Sequence, residues 1–351
     1  MMTIREATTK DNDALVDLMA RCPQGTNLVV RLDRAPDYFA RSQPYEDFRT
    51  FVAEDNGTIA GVGDCSVRTI MKNDQEIRSA YIYSFAVDRA YRGHRLAQDL
   101  EKVSVEYALN EGAEQVFGWI LEDNTPSLKA FRRIGYDDER ILKVYASLPY
   151  KKLEVPPGVR PMEDDDLEQV VEILNHTYAR YDYYYPYTPE KLTAFLQRLP
   201  GFAPQDYYVF EKDGRIMSCL GCWDYSRAIK GTIIQLSRQL HIISRLFRVL
   251  RIFGKVPRVP EIGKNWAYCV PELPGYRRSP DDLIPLWRTL NNFTVERKAN
   301  VVLFPLDPRS DLVRLPRQGL NVSVGLHQVM RPLTPRAVPS ARLIYADPID
   351  I

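Results

Sequence analysis

Arg92-Gly93-His94-Arg95 sets three basic side chains around a residue that has no side chain. Before it runs Tyr81 to Val87, in which aromatic or branched residues alternate with small or apolar ones, a pattern that suits a strand covered on both faces. After it, Leu96, Leu100, Val103 and Tyr107 recur at helical spacing until Gly112. A helix that starts at such a turn leaves its first amides without intrahelical acceptors and points the positive end of its dipole at them. Gly93 gives close access and the basic side chains add charge, so the chemistry this turn suits is the holding of a phosphate or diphosphate. Taken alone, Arg92 to Ala97 suits a plain strand–turn–helix with a solvated basic turn equally well.

The continuation favours the first reading. Gln115 to Leu121 predicts a second buried strand, and Asn124-Thr-Pro-Ser127 opens a short helix closed by Gly135. Upstream, Thr3 to Ala7 predicts a strand, Asp11 to Arg21 an amphipathic helix and Pro36 to Arg41 a second short helix. Phe48–Glu54 and Thr58–Val67 predict a hairpin around Asp55-Asn56-Gly57.

These residues resemble the GNAT acetyltransferase superfamily, whose signature is an Arg/Gln-x-x-Gly-x-Gly/Ala turn after the fourth strand, then an Asn after the fifth strand with a helix ending in Gly-Phe/Tyr. Arg92 to Ala97 matches the first part, with Arg95 in the usual glycine position, and Asn124 to Tyr136 matches the second in spacing. The resemblance covers about the first 148 residues and implies an α/β fold with a mixed sheet and acetyl-CoA as co-substrate. It implies that Phe85, Ala86 and Val87 offer backbone groups to the acyl and pantetheine arm. Arg92, Gly93, His94, Arg95, Leu96 and Ala97 would wrap the pyrophosphate, and Asn124 and Ser127 would close the other side. Phe131 stands where many members carry a tyrosine that protonates the departing thiolate; phenylalanine has no proton to donate. Tyr83, Tyr145 or water would then take that role.

The reaction implied is direct attack of an amine on the thioester. With a reference pKa of about 10.4, roughly one lysine-like amine in a few thousand is neutral at pH 7, so the site must remove a proton. Glu122, at the end of the fifth strand, is the candidate base; a solvated strand-end carboxylate accounts for it as well. The Phe85 amide is the expected oxyanion donor. A non-catalytic acyl-CoA sensor or scaffold, a longer acyl-CoA and an O-acceptor are the alternatives. Arg31, Asp33 and Arg34 fall in a loop that edges the acceptor site in this fold, where they would select a substrate carboxylate or phosphate or remain ordinary surface charges.

The second half repeats the first. Ile4-Arg-Glu-Ala finds its echo in Val159-Arg-Pro-Met, and Phe51 to Gly57 in Val209 to Gly214. Val116-Phe-Gly-Trp corresponds to Val301-Val-Leu-Phe, and Gly135-Tyr136 to Gly319-Leu320. The expectation is two tandem GNAT-like domains, 1–148 and 159–351, joined by a linker at 149–158. In the second, the phosphate turn becomes Arg278-Ser279-Pro280-Asp281-Asp282, an ordinary helix start without the donors a diphosphate needs, so this copy reads as degenerate.

It also carries an insertion near 226–256 with no acidic residue, in which Leu240, Ile243, Leu246, Phe247, Leu250 and Phe253 share a helical face opposite arginines. Such a helix suits an anionic membrane or an acidic partner; the reading preferred is an edge helix packed on its own domain. The tyrosine run at 178, 181, 183, 184, 185 and 187 is expected in packing before a substrate groove.

A net charge of +1 makes no general demand for nucleic acid or membrane, and four unclustered histidines argue against a metal site. Five cysteines without paired spacing, and no leader-like apolar segment, point to a reducing cytoplasm. A homodimer is compatible with this reading.

Overall fold

A computed structural model describes residues 2–253 and 256–350. In the first half, β1 (Met2–Glu6), α1 (Asn12–Arg21), β2 (Leu28–Asp33), β3 (Phe48–Asp55), β4 (Thr58–Lys72) and β5 (Gln75–Val87) precede α2 (Leu96–Asn110). Then follow β6 (Gln115–Leu121), α3 (Thr125–Arg133) and β7 (Asp137–Ser147). The second half has β8 (Val159–Pro161), α4 (Leu167–Tyr178), β9 (Tyr181–Asp182), α5 (Pro189–Arg198), β10 (Tyr207–Lys212), β11 (Arg215–Asp224) and β12 (Lys230–Leu236). It continues with α6 (Arg238–Phe253), β13 (Asn265–Trp266), β14 (Tyr268–Tyr276), α7 (Ile284–Glu296), β15 (Val301–Leu306), β16 (Asn321–Pro332) and β17 (Leu343–Ile344).

Twelve strands form one mixed sheet in the order β1-β3-β4-β5-β6-β16-β7-β15-β14-β11-β10-β8. Its centre is an exchange. β16, from the second half, pairs antiparallel with β6, and β7, from the first, pairs antiparallel with β15; the two exchanged strands also pair with each other. One apolar core cluster therefore crosses the halves, with Tyr81 and Phe117 packed in the same cluster as Tyr183, Leu220 and Phe304.

The repeat is visible in side chains as well as in strand order. Arg5 Nε reaches Glu54 at 2.7 Å and its terminal nitrogens reach Asp11 at 2.7 and 2.9 Å. Arg160 holds Glu211 and Asp166 in the same way, at 2.9 and 2.5 Å. Each pair of acids ties the first strand and its neighbour to the following helix start, where Asp11 and Asp166 also complete capping boxes.

Two elements depart from expectation. β4 and β5 extend well past the expected limits through a two-residue turn at Asn73 and Asp74, both at positive φ (49° and 62°), which Asn and Asp tolerate. Leu28–Asp33, expected as loop, is a strand because the insertion supplies its partner: β12 pairs with it from Lys230↔Asp33 to Leu236↔Leu28. The insertion itself corrects the expected packing of α6. Ser244, Leu240 and Phe247 turn inward, but Ile243, Leu246 and Leu250 face solvent. Lys255 and the side chain of Phe253 lie outside the described residues.

Candidate functional site

The basic turn has the geometry of an anion cradle. A short 3-10 turn over Arg89–Tyr91 ends at Arg92, Gly93 follows at φ +88°, and α2 starts after Arg95. Arg95 is left-handed at φ +62°, which explains why this position usually favours glycine: a side chain there carries strain of about 1 kcal/mol. Among the described residues, the amides of Gly93, His94, Arg95, Leu96 and Ala97 have no backbone acceptor. Arg92, His94 and Arg95 are exposed around them, with Arg92 Nε on the Val87 carbonyl at 3.2 Å.

Beside the turn, β5 parts from both neighbours. Its parallel pairing with β6 ends at Tyr81↔Phe117, and the two strands splay beyond. On the other side the register to β4 jumps from Tyr83↔Asp64 to Ala86↔Val62. Ser84, at φ +56°, and Phe85 are left without register partners in β4 and β6, so the bulge interrupts the ladder at Phe85. Gly63 makes room for this bulge, since a Cβ there would sit 2.8 Å from the Phe85 ring. Arg34, expected near a substrate, is instead buried behind the bulge; it donates to Ser84 Oγ at 2.8 Å and lies 3.7 Å from the buried Asp64. Its role is to brace the bulge. Phe131 packs edge-on against Phe85, with centroids 6.0 Å apart.

The opposite face of the splay holds a group that local sequence patterns did not reveal. The turn Pro348–Asp350 inserts there. Asp350 accepts from Arg68 at 2.5 and 3.1 Å and from the Tyr45 hydroxyl at 3.0 Å, while its carbonyl receives the Tyr81 hydroxyl. Trp119 Nε1, on β6, lies 3.4 Å from the same carboxylate. Asp350 thus touches both splayed strands. Nearby Asp347 is buried; burial and then the charge of Asp350 push its carboxyl up to about 7, against the pull of Arg68. Glu272 on β14 is fully buried with neither carboxylate oxygen hydrogen-bonded, and burial, then the charges of Asp347 and Asp350, raise its pKa. Among the described residues, no group of three or more His, Cys, Asp or Glu is arranged to hold a metal ion.

A cavity of about 440 Å³ opens onto this cluster between the halves, lined by Tyr45, Arg68, Tyr184, Tyr187 and Asp347. The tyrosine run packs, as expected, and also lines the cavity. Tyr183 and Tyr184 clamp Met71 of β4 by backbone bonds of 2.8 and 2.9 Å, and their neighbours line the cavity.

Residues 12–136 match the acetyltransferase (GNAT) family. That match runs from α1 to α3 of the first half. An uncharacterized N-acetyltransferase of Methanocaldococcus jannaschii is 26% identical over 143 residues, which are 40% of this chain and 63% of that protein. The chain thus spans under two thirds of that relative's length. In fold it is similar to Saccharomyces cerevisiae N-myristoyltransferase with bound myristoyl-CoA (TM-score 0.65, 10% identity, 99% of this chain and 87% of that one). It is also similar to a GCN5-related N-acetyltransferase from Sphaerobacter thermophilus (TM-score 0.58, 16% identity, 97% and 98%). Both likenesses run across both halves of the chain.

Within this GNAT frame the expected residues divide. Phe85, Ala86, Val87 and Arg92 to Ala97 converge on the bulge and turn. Asn124 and Ser127 open α3, where Asn124 Oδ1 accepts from the Ser127 amide at 3.3 Å, leaving its NH2 for other contacts. Tyr83 is buried against Tyr45 and Tyr81, donates to Ser42 Oγ at 2.8 Å, and is pushed above the ordinary tyrosine range by burial. Tyr145 is on β7, separated from β6 by β16. Glu122 is exposed and folds over Gly325 of β16, on the side of β6 away from the splay. The second half keeps a splay of its own beyond Cys269↔Val302, but its turn consumes its own donors. Asp282 accepts from the amides of Arg278 and Ser279 at 3.3 and 3.2 Å, and Ser279 Oγ accepts from Asp281.

Proposed function

We propose that the chain is an acyl-CoA-dependent N-acyltransferase, with acetyl-CoA as donor and a primary amine as acceptor, working in the cytoplasm. Residues 1–148 supply the donor site and 159–351 a degenerate copy that walls the acceptor cavity. The observation that carries this is the set of open amides from Gly93 to Ala97, which follows the bulge at Ser84 and Phe85 on β5. The amides suit a diphosphate and the bulge the oxyanion of a tetrahedral intermediate. In this reading the amine enters from the cavity, loses its proton to Asp347, and attacks the thioester carbonyl; the carbon–sulfur bond then breaks and coenzyme A leaves as the thiol.

Phe131 offers the leaving sulfur no proton, so Tyr83 or water supplies it. Tyr83→Phe lowers turnover by about tenfold or more in the first case and leaves it unchanged in the second. A longer acyl donor is the second reading, favoured by the N-myristoyltransferase likeness over 99% of this chain.

Thiol release from a series of acyl-CoA donors against a panel of amines tests the function. Acceptor-dependent release is expected with the acetyl donor; tight coenzyme A binding without release by any amine would make the protein a sensor. Arg92→Ala is expected to weaken coenzyme A binding about tenfold, by loss of a charge-assisted contact. Arg278→Ala should leave it unchanged, and equal losses would mean the two halves had been misassigned.

A further inference from the structure

The helix α6 turns its apolar residues outward. Ile242, Leu246 and Ile252 are 59%, 55% and 79% exposed, and Ile243, Val249 and Leu250 extend the same face. The opposite side, Leu240, Ser244 and Phe247, is the one that meets the protein. The N-terminus of α6 is anchored by the Ser237 amide on the Asn27 carbonyl at 2.7 Å, beyond the end of the β2–β12 pair. Arginines at 238, 245 and 248 lie along one edge of the outward face, and the helix contains no Asp or Glu. Among the described residues, Arg238 and Arg245 form no ion pair; Arg248 meets Glu261 at 3.3 Å.

We propose that α6 docks the protein on an anionic lipid bilayer. An interfacial helix needs this division: apolar side chains toward the acyl boundary and arginines at headgroup level. Among the described residues no helix is long and apolar enough to cross a membrane, so α6 would lie in the surface plane. A second copy of the chain fits less well, because two such faces would bring arginines against arginines with no acid on either helix to offset them. An anionic surface provides the missing charge and covers the apolar face together. Docking there would also place the donor-site edge near the bilayer, since Asn27 reaches the Asp123 carboxylate at 3.4 Å, next to Asn124.

The full chain is mixed with phosphatidylcholine vesicles with and without phosphatidylserine and sedimented. Binding to the phosphatidylserine vesicles at low salt is expected, weakened about tenfold or more without phosphatidylserine or at high salt. Leu246→Asp with Ile242→Asp should abolish binding. Arg238→Gln with Arg245→Gln should erase the preference for phosphatidylserine and leave any residual neutral binding. All four positions are exposed or edge positions of one helix, and an unchanged circular dichroism spectrum and coenzyme A affinity establish that each variant is folded. A folded wild type that ignores phosphatidylserine vesicles, or variants that bind as the wild type does, would overturn the proposal. So would a concentration-dependent dimer that Leu246→Asp dissolves in the absence of vesicle binding.

Discussion

Arg68→Ala should unseat the C-terminal turn and destabilise the protein by about 3–5 kcal/mol, the range for removing one partner of a buried ion pair. Arg68 on β4 is the cation bonded to Asp350, and its charge also opposes the upward shift at Asp347. Its guanidinium further lies over the rings of Tyr81 and Phe117, at 5.9 and 5.7 Å from their centroids. Alanine would leave Asp350, Asp347 and Glu272 buried together without that compensation. Because Arg68 belongs to the first half and Asp350 to the end of the second, the loss should appear both in denaturant unfolding and as faster proteolysis at the C-terminal turn. Adding Asp350→Asn should recover part of the stability, by removing one of the uncompensated charges. A destabilisation below about 1 kcal/mol would place the pair with ordinary surface ion pairs and refute its assigned role.

Asp347→Asn should have opposite effects on stability and activity. The carboxyl at about 7 lies above its unfolded value of about 3.9, so across that window the native state holds the proton more tightly. The stability this group contributes is fully present below about pH 4 and is lost as pH rises through 7. The asparagine variant avoids the buried charge and should be more stable than wild type by on the order of 2–4 kcal/mol at pH 8, and no more stable near pH 4. As proton acceptor, however, Asp347 must be ionised. Wild-type kcat/KM should therefore climb with pH along a limb near 7, and the variant should lose about 10²–10⁴-fold and flatten that limb. A stabilised variant that keeps full activity would remove Asp347 from the chemistry and return the role to Asp350 or Glu122.

What the sequence made legible was whatever depends on neighbouring residues. The turn at Arg92 to Ala97, the strand before it and the capped helix at Asn124 each declare themselves within a few positions. The internal repeat emerges because Arg5 with Asp11 and Arg160 with Asp166 keep the same spacing. The acid cluster was hidden because Arg68, Glu272 and Asp350 are remote along the chain and meet only through tertiary structure. For α6 the periodicity revealed an apolar stripe but not which way it faces, since Leu240 and Phe247 suffice to hold the helix on. Strand alternation likewise determines faces, not edges, and so carries no sign that β7 and β16 trade places.

That trade bears on how the protein is made. As the chain leaves the ribosome, β6 and β7 emerge well before β16, the strand that lies between them in the finished molecule. The front portion cannot complete its hydrogen-bonded ladder until β16 (Asn321–Pro332) has been made, and an unpaired edge must wait for it. Expressed by itself, a fragment ending at 148 would display both bare edges and should aggregate, whereas co-expressing it with the remainder offers each piece the strand it lacks.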